Sequence, residues 1–133
     1  MSKDFQFNVL AISYVPTDLS AFSSNPASPV QGSTITVKVK LTRASNGAAL
    51  PGLNVNFAYQ KPGDTLWTWL GGFQTDTSGY ATSSSFAGSV VGTWTVRCSY
   101  DGGDPTGTPG EYYAGCEEIL INEETLDAPL IVG

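Results

Sequence analysis

A two-residue rhythm runs through this chain. Ile35, Val37, Val39 and Leu41 alternate with Thr36, Lys38 and Lys40. Successive side chains of an extended strand point to opposite faces, so this segment has one apolar face and one face for water. The same rhythm returns at Leu53, Val55, Phe57 and Tyr59, and at Trp94, Val96, Cys98 and Tyr100. Shorter versions occupy Phe5 to Ala11, Leu66 to Phe73, Tyr80 to Phe86 and Tyr112 to Ile121. No stretch carries the three-to-four-residue spacing of an amphipathic helix.

Turn residues separate these runs. Pro16 to Pro29 is rich in Ser, Ala and Pro, and Ser45-Asn46-Gly47 and Pro62-Gly63-Asp64 mark reversals. Asp76 to Gly79 has Asp first and Gly last, as a type I turn prefers. A Gly/Pro-rich loop spans Asp101 to Gly110. About seven short strands at such spacing predict an all-β sandwich of antiparallel strands in two sheets. Parallel β/α folds need crossover helices, for which there is no pattern. The expected division is a sandwich over 1–122 and a tail or linker over 123–133.

Composition narrows the function classes. The chain has 133 residues, enough for one core without metals or many disulfides. Six Lys and Arg face twelve Asp and Glu, a net charge of −6, and no stretch is basic. Nucleic acid needs clustered cations to displace counterions, so it is not an expected partner. Anionic membrane surfaces are disfavoured in the same way, and the longest apolar run, Val9 to Ile12, is too short to span a bilayer. Histidine is absent, which removes Ser-His-Asp and Cys-His catalysis. The expectation is a non-enzyme without cofactors. No signal peptide pattern opens the chain. If the protein is exported, the expectation is a mature fragment or an expression product, with Met1 a cloning residue.

From Gly32 to Ile121 the chain resembles the immunoglobulin-like domains repeated in bacterial and archaeal surface proteins, including invasin-type adhesins. The residues that carry the resemblance are Gly32-Ser33-Thr34-Ile35-Thr36-Val37, Asn46-Gly47, and Leu50-Pro51-Gly52 ahead of Val55 and Phe57. Thr75-Asp76 with Gly79 follows, then Gly92-Thr93-Trp94-Thr95-Val96 running to Tyr100-Asp101-Gly102-Gly103. The resemblance implies an immunoglobulin-like sandwich at a cell surface, serving as spacer, stalk or adhesive tip, with no shared catalytic set. The long Asp101 to Gly110 loop, the two cysteines and the tail depart from the pattern.

Each candidate site has two readings. Cys98 and Cys116 lie in consecutive strands and can form a disulfide, contributing about 3 kcal/mol and implying an oxidising compartment; otherwise they are two buried thiols. Trp67, Trp69, Tyr80, Tyr112 and Tyr113 can stack on sugar rings or anchor a protein interface, or they fill the core. Asp101 and Asp104, with Glu111, could hold calcium in a flexible loop, or form a solvated turn. Glu117-Glu118 and Glu123-Glu124 fit a soluble strand edge better than paired catalytic carboxylates.

The chain ends are the sharpest lead. Phe5, Phe7 and Val9 near the start, and Leu130, Ile131 and Val132 at the end, are apolar enough to add to a sheet edge. Either segment can pair with its own domain or enter a neighbouring copy by β-strand addition. The expected partners are therefore protein or carbohydrate. The expected role is a structural or adhesive module of an extracellular or virion-surface assembly. The alternative is a carbohydrate-binding or accessory module of a secreted multidomain enzyme.

Overall fold

The computed structural model describes residues 12–120 and 130–133. Two sheets form the body. In the first, β2 (Thr17–Asn25) pairs with β3 (Thr34–Arg43), whose other edge carries β6 (Tyr80–Thr82) and then β7 (Phe86–Ala87). In the second, β5 (Thr68–Gln74), β4 (Asn54–Gln60) and β8 (Gly92–Tyr100) lie side by side. The far edge of β8 carries β10 (Cys116–Leu120) along one half and β11 (Leu130–Val132) along the other. All these pairings are antiparallel.

Alternation decides which faces meet. Ile35, Val37, Val39 and Leu41 of β3 are fully buried, and so are Val55 and Phe57 of β4 and Trp94, Val96 and Cys98 of β8. They share one core with Leu19, Ala81, Phe86, Leu130 and Val132. Rings from both sheets meet inside it: Tyr59 stacks on Phe86 at 4.8 Å, and Phe86 lies 5.9 Å from Trp94. The fold is all-β and sandwich-like.

The stretch Pro16 to Pro29, read from sequence as a separator, holds β2 over Thr17–Asn25; two further details differ from the expected seven antiparallel strands. First, the described residues form eleven strand segments, because single rows are interrupted. Between β6 and β7 the ladder stops at Ser83, whose hydroxyl accepts the Val37 N–H at 3.1 Å while its own N–H bonds the Val37 carbonyl. Second, one pair is parallel. β1 (Ser13–Val15) runs beside β9 (Glu111–Tyr113), with Tyr14 opposite Tyr112. This pair stands off the main sheets, above a loop that folds back on itself through Tyr113 N–H to Asp104 O and Thr106 N–H to Glu111 O.

Candidate functional site

Three surfaces and one slot hold the residues singled out above. The aromatics do not gather into one site. Tyr80 lies on the outer face of the first sheet under two cations, with Lys38 Nζ 4.7 Å and Lys40 Nζ 5.5 Å from its ring centre. Tyr112 and Tyr113 lie in the β1–β9 lobe, where Tyr14 packs 6.3 Å from Tyr112 and the Arg43 guanidinium sits 5.6 Å from the Tyr113 ring.

Trp67 and Trp69 belong to the outer face of the second sheet. Strict alternation would align them with Gly71 and Phe73. Phe73 pairs with Val55 and packs on the core, yet Trp69 pairs with Ala58 and is 64% exposed. The cause is a bulge at Leu70: Phe57 opposes Gly71 while Ala58 opposes Trp69. One extra residue inverts the faces of everything before it. Arg97 stands on the other side of Ala58, and its guanidinium lies 4.2 Å from the Trp67 ring centre. Arg97 is the contact residue that pattern reading missed. The Gly71-Gly72 step was the available signal, since paired glycines inside a strand mark bulges.

Cys98 and Cys116 share a face on paired strands, but Cys116 is opposite Tyr100 and Cys98 is opposite Glu118. They are diagonal neighbours, typically about 7–8 Å apart at Cα, whereas a disulfide spans about 4.4–6.8 Å. No disulfide joins them in the structure, contrary to the bridge expected from sequence. Asp104, one of the calcium candidates, has a different employment. Its Oδ2 accepts the Tyr100 hydroxyl at 2.7 Å, and Asp101 is exposed. Among the described residues no three acids or cysteines cluster around a common point. Burial pushes the Tyr100 phenol above its ordinary range, and the Asp104 carboxylate raises it further.

The slot is the half of the β8 edge that takes β11. Leu130 opposes Trp94, Ile131 opposes Thr93 and Val132 opposes Gly92. On its other side, Gly133 exchanges two backbone bonds with the Pro29–Gln31 segment, Gly133 N–H to Pro29 O at 2.9 Å and Gln31 N–H to Gly133 O at 2.7 Å. Leu130 and Val132 point inward at 2% and 0% exposure, while Ile131 faces out. Beside it runs an open groove of about 430 Å³, lined by Ala27, Pro29, Val30, Ile131 and their neighbours. Val90 and Val91 are exposed at this same end, where the Gln31 side chain bonds Ser89 O. The other strand-exchange candidates, Phe5, Phe7 and Val9, lie outside the described residues.

The chain matches no family model, no curated protein and no solved structure.

Proposed function

We propose that this chain is a non-catalytic immunoglobulin-like module, a structural or adhesive subunit of a cell-surface or virion-surface assembly, joined to its neighbours by β-strand addition. The observation that carries this reading is β11. This last described strand completes the core through Leu130 and Val132. Such a segment is the device by which extended peptides add to sheets.

Strand order supports the immunoglobulin-like part. Two antiparallel sheets, β5–β4–β8 with β10 and β11 against β2–β3 with β6 and β7, enclose one core as the two sheets of that architecture do. The resemblance from Gly32 to Ile121, the low charged fraction of 14% and the lack of histidine support a surface role without chemistry. The test is protease shaving and antibody labelling of intact cells or virions of the natural source. Labelling before lysis is the expected result, and label that appears only after lysis overturns it.

Trp69 favours a second reading, a carbohydrate-binding module. An exposed indole beside the Trp67–Arg97 stack, on a face that also carries Asn54 and Gln60, offers a ring platform and amide groups to a sugar. Affinity electrophoresis in gels containing soluble glucans, mannans or xylans tests it. Retardation lost in Trp69→Ala supports a sugar site, and unchanged mobility in every gel removes it.

A further inference from the structure

We propose that the outer face of the first sheet, around Lys38, Lys40 and Tyr80, is a binding site for an acidic polysaccharide, one whose sugars carry carboxylate or sulfate groups. This face lies on the sheet opposite Trp69 and includes no part of β11, so it binds or fails to bind independently of strand addition and of the Trp69 platform.

Charge is the first ground. The chain has six Lys and Arg against twelve Asp and Glu, a net charge of −6. Two of those six cations nevertheless converge on one ring, with Lys38 Nζ 4.7 Å and Lys40 Nζ 5.5 Å from the Tyr80 centre. Among the described residues neither ammonium forms an ion pair. The two acids that flank this face are placed otherwise. Asp18 is exposed and stands opposite Thr42, one diagonal step from Lys40. Asp76 turns its Oδ1 to the Ser78 and Tyr80 N–H groups. Like charges held side by side repel, and the electron-rich face of the ring offsets only part of that. An anion seated between the two ammonium groups removes it.

The second ground is the groove beside the lysines. It is open, encloses about 370 Å³, and is lined by Ser23, Ser24, Asn25, Thr36, Lys38 and Thr82. A bulge builds its wall. Thr17 and Leu19 of β2 are buried, so strict alternation would turn Ser23 inward as well. Instead the register slips between Ser20 and Ser23, where Ala21 takes φ +57°, a costly conformation for a residue with a Cβ. Phe22 then packs on the core, and Ser23 faces outward opposite Lys38, with Thr82 on the far side of that lysine. Bulges re-aim side chains in this way. Among the described residues the side chains of Ser23, Asn25, Thr36 and Thr82 make no hydrogen bond, while Ser24 donates its own to Pro26 O at 2.9 Å. This lining selects the ligand. Hydroxyls and amides both donate and accept, as sugar hydroxyls require, and the ammonium groups add charge-assisted bonds to an anion. None of the six lining side chains is apolar, so nothing anchors a peptide, and no Arg among them offers the forked grip that suits phosphate.

The test is equilibrium binding of the full chain at low salt to immobilised polygalacturonate, dextran sulfate and uncharged dextran. The first two separate carboxylate from sulfate recognition, and the third reports neutral sugar alone. Binding to at least one acidic polymer and none to dextran is the expected result. Lys38→Gln and Lys40→Gln should each weaken it about fivefold, and Ser23→Ala/Thr36→Val should weaken it measurably too. Lys61→Gln, which removes the same charge from the β4–β5 turn, should leave it unchanged. All these positions are exposed or half-buried, so the core is not disturbed. Binding to neither acidic polymer overturns the site. So does equal weakening by Lys61→Gln, which marks diffuse attraction, or unchanged binding in Ser23→Ala/Thr36→Val, which leaves charge alone. Tighter binding of polyglutamate than of either acidic polymer overturns it as well and assigns the face to an acidic protein.

Discussion

Trp94 ties the two sheets together at the level of a single side chain. It is fully buried, donates its indole N–H to Val90 O at 3.1 Å, and lies 5.2 Å from the Tyr59 ring. Truncating a core aromatic removes transfer free energy and leaves a cavity. Trp94→Ala and Phe57→Ala should therefore each lower the unfolding free energy by about 3–5 kcal/mol in urea titrations. Tyr100 makes a prediction about pH. Its folded phenol titrates above the unfolded value of 10.0, because of burial first and the Asp104 bond second. The stability this contributes is complete below pH about 10 and is lost as pH rises past it. Unfolding free energy should fall in alkali, and Tyr100→Phe should flatten that fall. Core residues such as these were legible, since alternation alone assigns Val39, Phe57, Val96 and Trp94 to the inside and all are fully buried. Trp69 was not, because a bulge one residue away reversed the face that its position implies.

Turns and edges govern the elements. Asp76 and Gly79 form the expected turn, closed by Gly79 N–H to Asp76 O at 2.9 Å, with Asp76 Oδ1 also accepting Ser78 and Tyr80 N–H. Gly79 has φ +85°, and a Cβ there would stand 2.8 Å from Leu41 O and 3.0 Å from Ala49 Cβ. Gly79→Ala should cost more than about 1 kcal/mol, from the backbone strain and the clash together. The turn was readable because its chemistry is local. The division of edge rows was not, because it depends on a hydroxyl at Ser83 reaching Val37 across the sheet. β11 is the element with the clearest prediction. Removing Leu130 to Gly133 uncovers the slot beside Trp94, and each buried aliphatic lost should cost roughly 1.5–3 kcal/mol. The denaturation midpoint of the shortened chain should drop accordingly, and a peptide of residues 127–133 added in excess should restore part of it.

The described residues form two main sheets whose apolar faces share one core, with a parallel β1–β9 lobe at one end and exposed Val30, Val90, Val91 and Ile131 at the other. The all-β class follows from the two-residue period, which sequence displays openly. Strand order does not, since alternation states which side a residue faces and says nothing of which strand lies beside it. Nor could the aromatics be assigned together: the pairings distribute them over three separate surfaces. Among the described residues no helix is long and apolar enough to cross a membrane. The last strand, Leu130–Val132, closes this sandwich by filling the edge of β8. Cross-strand proton contacts in solution NMR test it most directly. Contacts are expected between Leu130 and Trp94 and between Val132 and Gly92, with slow amide exchange at Gln31 and Gly133. Random-coil shifts and fast exchange over residues 130–133, with Trp94 still buried, would contradict it.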